Sequence, residues 1–179
     1  MRNPGFATVL HPAMPIKISQ MKKINSSLLK NPIHFLALGF GSGLSPVAPG
    51  TFGTLAAIPI YLILVLSINS TVYLLIVVLL ALLGFWLCGK SAEDLGVHDH
   101  PGIVWDEIVG FLITMYLAPL SWLWIVVGFC LFRLFDIIKP WPISKLDREV
   151  GGGVGIMLDD IVAGIFAWIV LQVIIRSIM

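Results

Sequence analysis

The chain has 179 residues, of which 58% are hydrophobic and 12% charged, with a formal net charge of +1 and a mean hydropathy of +0.99. Soluble globular domains carry about 25% charged residues, so these values exclude one and point to an all-α integral membrane protein of single-domain length. The charges are segregated along the chain and form no basic stripe, so no nucleic-acid partner is expected.

Residues 1–30 read as a polar, basic tail containing Lys17, Lys22, Lys23 and Lys30, with a short amphipathic piece around Ile16–Leu29. The tail lacks an apolar core followed by a small-residue cleavage site, so no signal peptide is expected. A single membrane-embedded domain is expected over 31–179. His34–Phe40 is apolar but too short to span a bilayer. It runs into Gly41–Thr51, a Gly/Ser/Pro segment that cannot be regular helix. Irregular backbone beside a membrane must be wet or packed on protein, so this stretch reads as re-entrant or interfacial.

Thr51–Ser67 and Val72–Gly89 form two spans joined by a turn at Asn69–Thr71, with no charge from Thr51 to Gly89. Such a hairpin has both ends on one side. The lysines before it and Lys90 after it place that side in the cytoplasm.

Ile108–Phe132 is again free of charge, with Pro119 and Ser121 near its middle and Trp122 and Trp124 beside them. One bent helix would be about 38 Å long and would put Asp106 and Asp136 on opposite membrane faces. A hairpin turning at Pro119–Ser121 would return the chain to its starting side. Its arms, about 18–20 Å each, are short for a core of about 30 Å, so they should begin before Asp106 and end after Asp136. The hairpin is preferred because it gathers all the acids. A last span covers Ile161–Ile175, giving a small bundle of about five membrane segments: two hairpins and a final helix. Cys88 and Cys130, both in apolar runs, read as buried small hydrophobes.

The hairpin places Asp106, Glu107, Asp136, Asp159 and Asp160 at one surface. Carboxylates that close to hydrocarbon are costly and need compensation, and a hard divalent cation, Mg²⁺ or Mn²⁺, suits paired carboxylates. A helix cap is the alternative for Asp106 and Glu107 taken alone. Asp106-Glu107-Ile108-Val109-Gly110 is echoed by Asp159-Asp160-Ile161-Val162-Ala163, each an acidic pair followed by Ile-Val and a small residue. If more than chance, the echo describes two half-sites flanking one or two cations, an arrangement used in phosphoryl chemistry. Arg133 and Lys139 flank Asp136 and suit a phosphate; Lys145 and Arg148 serve equally well as topology signals. Gly151–Gly155 reads as a flexible loop feeding the second acidic pair. Gly41–Thr51, with Ser42, Ser45 and Thr51, is either a phosphate-binding nest or a plain connector. His98-Asp99-His100 reads as a solvated loop. No nucleophile elbow or Cys-His pattern occurs, which favours metal-activated water.

Gly39–Thr54 (GFGSGLSPVAPGTFGT), Asp99–Gly110 (DHPGIVWDEIVG), Arg133–Ile143 (RLFDIIKPWPI) and Gly152–Gly164 (GGVGIMLDDIVAG) resemble, in order, the motifs of the phosphatidylglycerophosphatase A family. The resemblance covers about residues 30–177. It implies a multi-pass enzyme of the bacterial inner membrane, its active site facing the cytoplasm, that hydrolyses phosphatidylglycerophosphate to phosphatidylglycerol and phosphate using Mg²⁺. It also implies that Asp106, Glu107, Asp136, Asp159 and Asp160 are catalytic or metal-binding. The rival reading is a cation or phosphate transporter with a carboxylate-lined pathway, which would more often place its acids near mid-span.

Overall fold

The computed structural model describes residues 26–97 and 100–178, apart from the side chain of Arg148. The amphipathic piece before Ser26, and His98 and Asp99, lie outside these residues. Among the described residues the chain is helical throughout, with no strand. A 3₁₀ turn at Ser26–Lys30 leads into α1 (Pro32–Ala37), and a second at Gly39–Leu44 leads into α2 (Pro49–Ser67). Then follow α3 (Ser70–Leu95), α4 (Trp105–Thr114), α5 (Trp122–Ile138), α6 (Ile143–Glu149) and α7 (Gly152–Ile178).

Three of these, α2, α3 and α7, are long and apolar enough to cross a membrane. The expected first hairpin is α2–α3, where the Asn69 side chain accepts a hydrogen bond from Val72 N and starts α3. The second expected hairpin is α4–α5, but its arms are unequal, about 15 Å and 26 Å at 1.5 Å per residue. The expected bundle of about five membrane segments, with short arms in its second hairpin, is seen as three long helices and a shorter helical hairpin. The connection is wider than Pro119–Ser121. α4 ends at Thr114, Leu117 takes a left-handed conformation (φ 59), and Ser121 caps α5 by accepting from Leu123 N.

A helix ending inside apolar surroundings leaves carbonyls that must find partners. The carbonyls around the end of α4 are met by side chains of its neighbours. Leu112 O accepts from Tyr73 Oη at 2.8 Å, and Tyr116 O from Trp168 Nε1 and Gln172 Nε2 at 2.9 and 3.1 Å. Thr114 Oγ1 donates to Gly110 O and lies 3.3 Å from Gly164 O on α7. α4 is therefore the buried axis of the bundle, with Ile108, Val109, Phe111 and Leu112 wholly excluded from solvent. α7 packs most closely on it because glycines meet there. A Cβ on Gly164 would lie 2.5 Å from Gly110 O, and one on Gly110 would lie 2.8 Å from Asp160 O.

Two expectations are corrected. Gly151–Gly155 is no flexible loop feeding an acidic pair, because α7 already begins at Gly152. Gly153 serves packing: a Cβ there would collide with Phe85 O and Gly89 of α3. Asp159 and Asp160 consequently lie two turns inside α7 rather than at its opening. Cys88 is buried as expected, but Cys130 faces outward from α5.

Candidate active site

α4 starts at Trp105, which sets Asp106 and Glu107 in its first turn. The start is fixed from outside. Val104 N donates to Ala37 O at 2.9 Å, and the glycines at 39 and 53 press their bare Cα atoms on the Val104 side chain. α5 returns Arg133 and Asp136 to the same end, and α7 contributes Asp159 and Asp160. These residues, with Lys139, Ile137, Pro101, Ile103 and Ala48–Gly50, line one cavity of about 340 Å³.

Within it, one carboxylate oxygen each from Asp106, Glu107 and Asp160 lie within 4.8 Å of one another. Repulsion among them must be offset. Glu107 Oε2 is buried without a hydrogen-bond partner, as is Arg133 Nε. A cluster of hard oxygens with a buried, unsatisfied acceptor fits a divalent cation.

The other two predicted acids are engaged by cations. Asp136 pairs with Arg133 Nη1 one helical turn away. Asp159 pairs with Lys139 Nζ at 2.6 Å, and the same ammonium bonds Asp147 of α6 at 2.5 Å. Burial works against the Lys139 charge, but these two carboxylates outweigh it and hold the ammonium above the usual lysine range. The structure therefore brings all five predicted acids and both predicted cations to one cavity, in two arrangements: a compact triad and two flanking ion pairs.

The predicted hydroxyls lie elsewhere. Ser42 Oγ donates to Gly39 O and Ser45 Oγ to Val47 O, both at 2.8 Å, so each closes a local turn. Ser42, Ser45 and Thr51 are all absent from the cavity lining, and only Ala48–Gly50 of the nest segment reaches it. Ala48 takes a left-handed conformation (φ 48) that turns the chain into α2 and leaves Gly50 against Glu107 and Arg133. Pro101, Ile103, Ile137 and Asp147 escaped the sequence reading. Pro101, Ile103 and Ile137 lie within the family-like motifs without standing out there, and Asp147 carried a signal only as a charge eight residues past Lys139.

The sequence profile described as Phosphatidylglycerophosphatase A matches residues 35–175. The chain belongs to this family. Two relatives named Phosphatidylglycerophosphatase A are each 50% identical to it. That of Escherichia coli (strain K12) aligns over 149 residues, 82% of this chain and 86% of its own. That of Haemophilus influenzae aligns over 151 residues, 84% and 91%. A Bacteroides thetaiotaomicron relative, 39% identical over 145 residues (77% and 90%), is named provisionally a phosphatidylinositol-3-phosphatase. No solved structure matches the chain significantly. The matched region contains the whole cavity, so family membership and the carboxylate cluster refer to the same part of the molecule.

Proposed function

We propose that the chain hydrolyses the phosphomonoester of phosphatidylglycerophosphate to phosphatidylglycerol and phosphate, using Mg²⁺, in phospholipid synthesis. The names of the two 50%-identical relatives support the substrate. The observation that carries the chemistry is the triad of oxygens from Asp106, Glu107 and Asp160, with Glu107 Oε2 buried and unsatisfied. These three would hold the metal, which when bound would supply charge stabilisation and an acidified water. Water attacks phosphorus, the bond to the glycerol oxygen breaks, and that oxygen leaves carrying a proton.

The chain's own residues would do the rest. Arg133, beside the triad, would bind the phosphate oxygens in its planar fork while Asp136 holds its orientation. Lys139 would add a second positive charge in the cavity lining, its position fixed by Asp159 and Asp147. Asp136, facing Arg133 and the triad, is the carboxylate best placed to orient or deprotonate the attacking water. The lysine distribution supports a cavity facing the cytoplasm, and the bacterial relatives support the inner membrane.

The test is phosphate release from detergent-solubilised protein before EDTA, after EDTA, and after Mg²⁺ is restored, alongside Asp160→Asn. Activity should vanish with EDTA and return with Mg²⁺, and the variant should be inactive though normally inserted. Full turnover in EDTA would overturn the metal reading. Near-normal turnover of the variant would remove Asp160 from it.

A further inference from the structure

Ile137 belongs to two surfaces. It lines the carboxylate cavity beside Arg133 and Asp136, yet it is 68% exposed. It also ends an outward stripe on α5 made by Leu123, Val126, Cys130, Leu134 and Ile137. Spacings of three and four put these residues on one helix face, and such a face on a membrane protein meets lipid. Trp141, 78% exposed just beyond the end of α5, is an aromatic suited to headgroup depth, which puts Ile137 slightly below that level. Pro49 and Gly50, the first residues of α2, line the same cavity. α2 and α5 both pack on α4 and share few contacts with each other, the start of α2 meeting α5 through Gly50 and the Arg133 side chain.

Resting on the lipid-phosphatase reading above, we infer that the substrate enters sideways from the bilayer, between the start of α2 and the end of α5. Its phosphate passes over Ile137 to Arg133, and its acyl chains remain along the α5 stripe. The occupant follows from continuity: the stripe runs into the wall of the cavity that takes the phosphate. A diacyl lipid using this path never exposes its chains to water, which would oppose access from the aqueous side. Ile137 is then a specificity-determining residue. It touches the lipid where glycerol gives way to acyl chain and takes no part in the reaction.

The experiment compares kcat/KM for dioleoyl phosphatidylglycerophosphate in mixed micelles with that for a water-soluble dibutyryl analogue. Wild type, Ile137→Trp and Ile63→Trp are measured; Ile63 is a 65% exposed residue on the lipid face of α2 outside the cavity lining. Ile137→Trp should lower kcat/KM for the dioleoyl substrate about tenfold, chiefly through KM, a shift of about 1.4 kcal/mol. It should lower the dibutyryl value severalfold less than the dioleoyl one, and Ile63→Trp should leave both unchanged. If the Trp variant fails to accumulate, Ile137→Ser serves. Loss of the apolar rim should raise KM about threefold for the long-chain substrate only. Equal losses on both substrates, no loss on either, or the same pattern in Ile63→Trp would each overturn the portal while leaving the phosphatase reading intact. A wild type that hydrolyses neither substrate would overturn both.

Discussion

Replacing Gly50 with alanine should weaken metal binding without harming the fold. Gly50 is the second residue of α2, so alanine is no worse for the helix; in a helix interior it is better than glycine by about 1 kcal/mol. Its Cβ, however, would fall on Glu107 Oε1, 3.2 Å from Glu107 Cδ and 3.1 Å from Arg133 Nη1. Arg133 is held by Asp136, so Glu107 is the side chain that must yield. Metal sites hold their ligand distances within about 0.2 Å, and disturbing groups that orient ligands costs about 10–100-fold in affinity. That range corresponds to about 1.4–2.8 kcal/mol. Phosphate release followed against Mg²⁺ concentration should show a midpoint raised 10–100-fold, with most of the maximal rate recovered at high Mg²⁺. The thermal midpoint of the metal-free protein should not fall. An unchanged Mg²⁺ midpoint would refute the placement of Glu107 in the metal cluster. A loss of activity that Mg²⁺ cannot restore, with a lowered thermal midpoint, would show that Gly50 serves the fold instead.

Asp147→Asn removes one of the two carboxylates that fix Lys139. Because Asp147 is partly exposed, the expected effect is a two- to fivefold rise in KM, about 0.4–1 kcal/mol, with Asp147→Glu restoring most of it. A Glu variant as impaired as the Asn variant would point to a role in α6 folding instead of the ion pair. Gly164→Ala should force α4 and α7 apart, at an overpacking cost of about 1–3 kcal/mol. Its melting midpoint in detergent should drop below that of wild type, and an equal midpoint would refute the close contact at Gly110.

Much of the architecture was legible because charge in a hydrophobic chain is rare and its placement is costly. The gap without charge from Ile108 to Phe132 was too long for the acids at its ends to share a face unless the chain turned back. The turn at Pro119 and Ser121 supplied that return. What remained hidden depended on contacts distant in sequence. Nothing local shows that α4 stops after ten residues, because the groups that donate to the carbonyls at and just past its end are Tyr73, Trp168 and Gln172. Nor could composition distinguish glycines that bend from glycines that pack. Gly151–Gly155 looked like a flexible loop, but a 27-residue helix begins at Gly152, and the bareness of Gly153 is required by the backbone of α3.

The same contacts qualify the echo between the two acidic pairs. Neighbouring residues on a helix point about 100° apart, so a doublet cannot ordinarily send both side chains to one place. In α7 it does not: Asp160 turns to the triad and Asp159 to Lys139. In α4 both acids reach the triad, since the pair sits in the first turn and Glu107 has the longer side chain. The two half-sites are thus alike in sequence and unlike in use. One doublet provides two carboxylates to the triad; the other provides one and turns its partner to the Lys139 ammonium. On this reading Asp159→Asn should be milder than Asp160→Asn and should act on KM. Equal inactivation of the two variants by the same loss of Mg²⁺ affinity would restore a symmetrical site.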